Sequence, residues 1–235
     1  AIDDPQLWYP WEQGEPYLYL MEIEVWRGKE LLDKHISRVG IQEVSFDTEK
    51  HCVSINHHRI FLKGFLNDDV HWMSLMDRSG YAQRLKMQTD AGVNLIRLTT
   101  HQSSPEMYDL CNEMGMMIWQ ELPLQWGYST SEPVRSDILQ VARETMVQTR
   151  PHPCVIGYSA WNEGGQADFT GRVVALMQEL DSTRPMSRAC GGGDWDVHFY
   201  NDQSASLTRM TPLWTGFTFG FISEIGTYGL PTEED

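Results

Sequence analysis

From Tyr17 to Val25 apolar and polar residues alternate, with Tyr17, Tyr19, Met21, Ile23 and Val25 on one face, and this period of two predicts a half-buried antiparallel strand. The first forty-odd residues therefore read as β-sandwich. A second strand pair is expected around Val53 and Ile55 and then Ile60-Phe61-Leu62, with a short turn at Asn56-His57-His58. Beyond it the pattern changes character: apolar strand-like runs alternate with helical ones, as in βαβ units on a parallel sheet.

The clearest helix is expected at 105–114, where Ser104 suits the N-cap, Pro105 the first helical position and Gly115 the C′ position. Met107, Leu110, Cys111 and Met114 then form one apolar stripe, as do Val134, Ile138 and Val141 in the next helix and Val173, Met177 and Leu180 in the one after. Between these helices the expected strands are 60–65, 92–98, 116–122, 154–160, 186–190, 196–200 and 219–225, one short of a closed eight-stranded barrel. Too few residues separate the fifth and sixth for a crossover helix, so either that helix is missing or one strand is misassigned. Residues 201–216 are poorly helical. The fold class is thus α/β: a (β/α)8 barrel over 46–235, incomplete at its C-terminal end, preceded at 1–45 by part of a β-sandwich domain.

The 41% hydrophobic content of these 235 residues can bury a sizeable core and rules out disorder. Eighteen Lys+Arg against 33 Asp+Glu give a net charge of −15, which repels phosphate backbones and anionic lipid heads. A nucleic-acid partner is not expected, nor a membrane, since no apolar run approaches the roughly 18 residues a span needs. Cys52, Cys111, Cys154 and Cys190 stand singly and read as buried free thiols, which with no secretory segment favours a cytoplasmic compartment. No metal-ligand spacing is evident.

In a parallel barrel the catalytic groups sit at the C-terminal ends of strands. Three strand ends carry polar residues. Tyr158-Ser159-Ala160-Trp161-Asn162-Glu163 is an apolar strand closing on an amide and a carboxylate, although Glu163 can equally be the first solvated residue after a strand. In Phe221-Ile222-Ser223-Glu224-Ile225-Gly226 a carboxylate interrupts an apolar strand, so Glu224 needs a partner or a function. Asn94-Leu95-Ile96-Arg97-Leu98-Thr99-Thr100-His101 places a guanidinium in an interior strand, a partner for one of those carboxylates. An opposite charge keeps one carboxylate ionised, as a nucleophile requires, while an apolar setting beside an anion raises the other, as an acid requires. Two carboxylates in such divergent environments make a glycosidase pair.

Taken with Leu7-Trp8, Pro16-Tyr17-Leu18-Tyr19, Val39-Gly40-Ile41, Leu62-Lys63-Gly64, Tyr108-Asp109-Leu110-Cys111-Asn112-Glu113-Met114-Gly115 and His152-Pro153, these motifs resemble glycoside hydrolase family 2, the β-galactosidases, β-glucuronidases and β-mannosidases. The resemblance implies a retaining exo-β-glycosidase in which Glu163 protonates the leaving oxygen and Glu224 attacks the anomeric carbon, the carboxyls about 5–5.5 Å apart. It implies that Asn162 binds the sugar 2-hydroxyl, that Arg97 orients the nucleophile, that Tyr200 donates to it, and that His101 lies on the substrate side. Glu121 is expected to bond sugar hydroxyls or to serve the structure. Among Trp119, Trp126, Trp161, Trp195 and Trp214, Trp161 is placed near the site and the others are left open.

Compared with that family, the chain lacks an N-terminal jelly roll, a complete immunoglobulin-like domain and an eighth barrel strand. The remainder of a parent chain or a second copy is expected to cover the open barrel. The motifs at Trp119–Pro123 and from Ser223 to Pro231 lean toward β-mannosidases over β-galactosidases. The double displacement requires no cofactor, although some relatives bind Mg or Na. The rival expectation is a non-catalytic carbohydrate-binding or structural fragment.

Overall fold

The computed structural model describes residues 2–47, 52–67, 76–127, 129–164 and 167–189, and the backbone of 196–200 and 221–226. The chain opens with an antiparallel hairpin of β1 (Tyr19–Arg27) and β2 (Glu30–Val39), in register from Tyr19 opposite Val39. Leu20, Ile23, Val25, Trp26, Leu32 and Ile36 are all exposed, so the alternation that predicts this strand does produce one, but both of its faces carry open apolar side chains. Next comes a three-stranded antiparallel sheet of β3 (Val44–Asp47), β4 (Cys52–Ile55) and β5 (His58–Ile60). Asn56 and His57, at φ 50° and 67°, make the two-residue turn of positive φ that matches the twist of a hairpin.

The expected strand at 60–65 is two elements. Ile60 pairs with Val53 at the end of β5, and the first parallel strand, β6 (Gly64–Asn67), starts only at Gly64. From there strands and helices alternate: α1 (Arg78–Asp90), β7 (Leu95–Leu98), α2 (Pro105–Met114), β8 (Met117–Glu121), α3 (Glu132–Thr149), β9 (Val155–Ser159), α4 (Ala167–Leu180) and β10 (Met186–Ser187). These five strands pair in parallel in sequence order, β6-β7-β8-β9-β10, each joined to the next through a helix, which is the wall of a (β/α)8 barrel. β11 (Asp196–Tyr200) and β12 (Phe221–Gly226) pair in parallel, with His198 opposite Glu224. Residues 190–195 and 201–220, with Cys190, Trp195 and Trp214, lie outside the described residues.

Every residue of β7, β8 and β9 is buried, as a sheet covered on both faces requires. Arg97, Trp119 and Gly157 are cross-strand neighbours, and the Trp119 indole lies over Gly157. A Cβ there would stand 2.2 Å from Trp119 Cζ3, while Trp119 is itself 1% exposed and held by its Nε1–H donating to Ser159 Oγ at 2.7 Å. Gly157→Ala should therefore cost about 2–3 kcal/mol, at the upper end for overpacking a core, read as a lowered denaturation midpoint at constant m-value. An unchanged midpoint would mean the indole has room to turn.

The floor beneath the barrel is made by the segments flanking the hairpin. Trp8, fully buried, donates Nε1–H to the Asn112 carbonyl at 2.8 Å, Trp11 N–H bonds the Gly115 carbonyl at 3.0 Å, and Gln42 Nε2 donates to the Pro153 carbonyl at 2.5 Å. Gly115 ends α2 at φ 71°, and any Cβ there would meet the Trp11 nitrogen at 2.6 Å. The Asn112 amide has its orientation fixed by chemistry, because Oδ1 accepts the Cys154 N–H at 3.1 Å and Nδ2 must then donate to His152 Nδ1 at 2.8 Å. His152 is consequently an Nδ1 acceptor, neutral, and burial pushes its pKa below the ordinary value of 6.5, with Arg184 adding to that and Asp109 opposing it.

Protons then bind the unfolded chain more readily than the folded one. Stability should be level above about pH 6.5 and decline as the pH falls from there through the folded-state pKa. His152→Gln should flatten that part of the stability profile in denaturant titrations between pH 7 and 5. If the slope persisted unchanged, His152 would not be its source.

Candidate active site

The C-terminal ends of β7, β8 and β9 converge on one network. Arg97, 3% exposed, donates Nε and Nη2 to Glu121 Oε1 at 3.0 and 2.7 Å, and Nη2 also donates to Asn162 Oδ1 at 2.8 Å. The second Glu121 oxygen accepts the Thr100 N–H at 3.1 Å. Thr100 reaches it at φ 55°, a conformation rare for a β-branched residue, so the turn after β7 is bent to aim its amide at that carboxylate. Glu121 is fully buried and both its oxygens are engaged by the protein, which places it under the mouth as the partner of Arg97 rather than on the cleft surface.

His101 follows directly. Its Nδ1 lies 2.8 Å from the Thr99 carbonyl, and since a carbonyl only accepts, Nδ1 carries the proton and a neutral ring offers Nε2 as an acceptor. Gln120 braces the same turn, with Nε2 donating to the His101 carbonyl at 2.9 Å and Oε1 accepting from Tyr108 Oη at 2.6 Å. Burial raises the Tyr108 hydroxyl far above its ordinary pKa, so it stays a neutral donor.

After β9 the chain runs on beside the extension of β8. Asn162 N–H bonds the Leu124 carbonyl at 2.9 Å, and Trp126 N–H bonds the Asn162 carbonyl at 3.1 Å. Glu163 sits at the end of this ladder with φ 46°, followed by Gly164 at φ 136°. The Trp126 indole donates Nε1–H to Glu163 Oε2 at 2.9 Å, while the Trp126 carbonyl accepts Nε1–H of Trp161 at 2.9 Å. Trp161 is 2% exposed, a wall behind the site, whereas Trp126 is 64% exposed. Sequence reasoning left Trp126 open, because an aromatic past a strand end carries no periodic signal.

The structure thus brings Arg97, Glu121, Asn162, Glu163 and Trp161 together, with His101 on the adjoining turn. The side chains of Tyr200 and Glu224 lie outside the described residues, though their strands are paired. Among the described residues no group of three or more His, Cys, Asp or Glu could hold a metal ion, no helix is long and apolar enough to cross a membrane, and Cys52, Cys111 and Cys154 are free.

A family model described as glycosyl hydrolases family 2, TIM barrel domain, matches residues 46–210, and another described as glycosyl hydrolases family 2 matches residues 1–42. A putative beta-glucuronidase of Formosa agariphila is 27% identical over 188 residues, which cover 77% of this chain and 22% of that protein. A beta-galactosidase of Bacteroides ovatus is 25% identical over 244 residues, covering 85% of this chain and 28% of that one. The chain therefore spans less than a third of the length of these curated relatives. Among solved structures, a Beta-D-Mannosidase from Dictyoglomus thermophilum shares the fold with a TM-score of 0.80 at 24% identity, over 99% of this chain and 33% of that one.

Proposed function

The chain belongs to glycoside hydrolase family 2, and on that premise we propose that it carries the active site of a retaining exo-β-glycosidase acting through a covalent glycosyl-enzyme. The observation that carries this reading is Glu163, held at a strained φ at the C-terminal end of a buried parallel strand, one residue from an asparagine bonded to the buried Arg97–Glu121 pair. In the first step the Glu163 carboxyl gives its proton to the glycosidic oxygen as the C1–O bond breaks, while a Glu224 oxygen forms a bond to C1 from the opposite face. In the second, Glu163 as carboxylate takes a proton from water, whose oxygen attacks C1 and frees Glu224.

Asn162 has its Oδ1 committed to Arg97, which leaves its NH2 end to serve the sugar 2-hydroxyl. Arg97 orients the nucleophile, Tyr200 donates to it, His101 meets the substrate, and Trp161 backs the cleft. Glu121 acts through Arg97. No cofactor takes part, and the ligand is a carbohydrate.

We read residues 1–45 as part of an immunoglobulin-like sandwich and 46–235 as most of the barrel, with the rest of a longer chain or a second copy covering the open barrel. The exposed apolar residues of β1 and β2 and the small share of each relative covered support this. They also favour a second reading for these residues in isolation, a fragment that binds sugar without turning it over. A panel of 2-fluoro β-mannosides, β-galactosides and β-glucuronides, followed by mass mapping, tests the main reading. A single adduct on the Glu224 peptide of the full-length protein is expected, and the reactive member names the sugar; labelling elsewhere, or none, rejects the covalent route.

A further inference from the structure

We infer that Trp126 forms the leaving-group side of the cleft, its indole N–H positioning Glu163 and its open ring face a platform for a ring-shaped leaving group, a second sugar or an aryl group. The inference rests on Glu163 being the acid that protonates the glycosidic oxygen. An acid must reach within hydrogen-bond distance of the oxygen it protonates. Whatever touches the same carboxyl from the side then flanks the departing group, and Trp126 touches Oε2 at 2.9 Å.

The indole is fixed rather than draped. Its backbone sits at φ 55°, an outlier for so bulky a residue, and is held there by its N–H on the Asn162 carbonyl and its C=O on the Trp161 indole. Next to it Glu163 is at φ 46°, and Gly164 passes so close that a Cβ would lie 3.0 Å from the Trp126 carbonyl. Strain of this kind persists where the surroundings over-determine it, and here they aim one aromatic ring and one carboxyl at the same spot. Trp119 and Trp161 bury their rings at 1% and 2% exposure, while Trp126 keeps 64% of its surface open at the mouth. An exposed indole whose polar edge is already bonded offers its face to a partner with an apolar side, as a sugar ring or an aryl group has.

The test uses kcat/KM, which reports the first chemical step, in the full-length protein on β-glycosides of one sugar with different leaving groups. Trp126→Phe keeps a ring and loses the N–H. It should lower kcat/KM about 10- to 100-fold for glycosyl and alkyl leaving groups that need protonation, as the loss of a hydrogen bond to an ionisable group implies, and less than about threefold for a 2,4-dinitrophenyl group that does not. Trp126→Ala should in addition raise KM for disaccharides and aryl glycosides several-fold more than for the methyl glycoside. An equal loss across all leaving groups in the Phe variant, no loss on disaccharides, or a KM change in the Ala variant that ignores the leaving group would overturn the inference. Glu163→Gln on the same series separates the two levels: if it loses no more on poor leaving groups than on dinitrophenyl, the assignment of Glu163 as acid fails first, whatever Trp126 does.

Discussion

Glu224→Ala in the full-length protein should lower kcat for a β-glycoside by a factor on the order of 10⁴ or more, and sodium azide should restore turnover with an α-glycosyl azide as product. In the proposed mechanism the carboxylate supplies the C1–O bond of the intermediate, and alanine offers nothing that can form it. The shortened side chain leaves room on the same face of the sugar, where azide can form a C1–N bond as the protonated leaving group departs. One displacement then replaces two, and the anomeric configuration inverts. Glu163 remains to protonate the leaving oxygen, so azide repairs the nucleophile variant on poor leaving groups as well as good ones. A variant retaining a tenth of the activity, or an azide product of retained configuration, would remove Glu224 from the reaction.

The second large effect belongs to the buried pair. Glu121→Ala should lower unfolding free energy by about 3 kcal/mol, the lower part of the range for breaking a buried ion pair, because Arg97 loses the oxygen on which its Nε and Nη2 both converge. Thr100 loses the acceptor that anchors its strained amide at the same time. The loss should also reach the chemistry, since Nη2 bridges to Asn162 next to Glu163. Denaturant unfolding measures the first, and kcat on an activated substrate the second. Replacing Arg97 and Glu121 together by apolar residues should recover part of the stability and none of the activity. Equal stability for the single and double variants would show that the pair does not act as a unit.

Much of this architecture can be read from residue order, and the exceptions have physical causes. Helix α2 is legible because Pro105 and Gly115 punctuate an apolar stripe. α1 escapes notice because only Tyr81 and Leu85 of its thirteen residues are buried, too few to draw a stripe. The strand expected at 60–65 fails because Ile60 and Phe65 are equally apolar, and only pairing reveals that one closes a hairpin while the other opens the barrel wall. At the site, strand-end carboxylates are visible as breaks in apolar runs. A choice of partner is not: Arg97 can be assigned to either candidate acid from sequence, and its bonds to Glu121 depend on the register that sets β7 against β8. Several residues of the motif from Tyr108 to Gly115, with His152-Pro153, serve the floor and the brace of the His101 turn, which spacing alone does not distinguish from chemistry.

The floor also sets a schedule for synthesis. Trp8 bonds a carbonyl 104 positions further on, and Gln42 one that is 111 away, so neither can dock when it leaves the ribosome. At about 5–20 residues per second, Trp8 waits roughly 5–20 s for its partner to be made. During that interval an indole destined to be fully buried stays in solvent on the nascent polypeptide, beside the apolar hairpin that follows it. The segment around Trp8 is thus translated well before it can be secured, and that window is where a chaperone would have its hold.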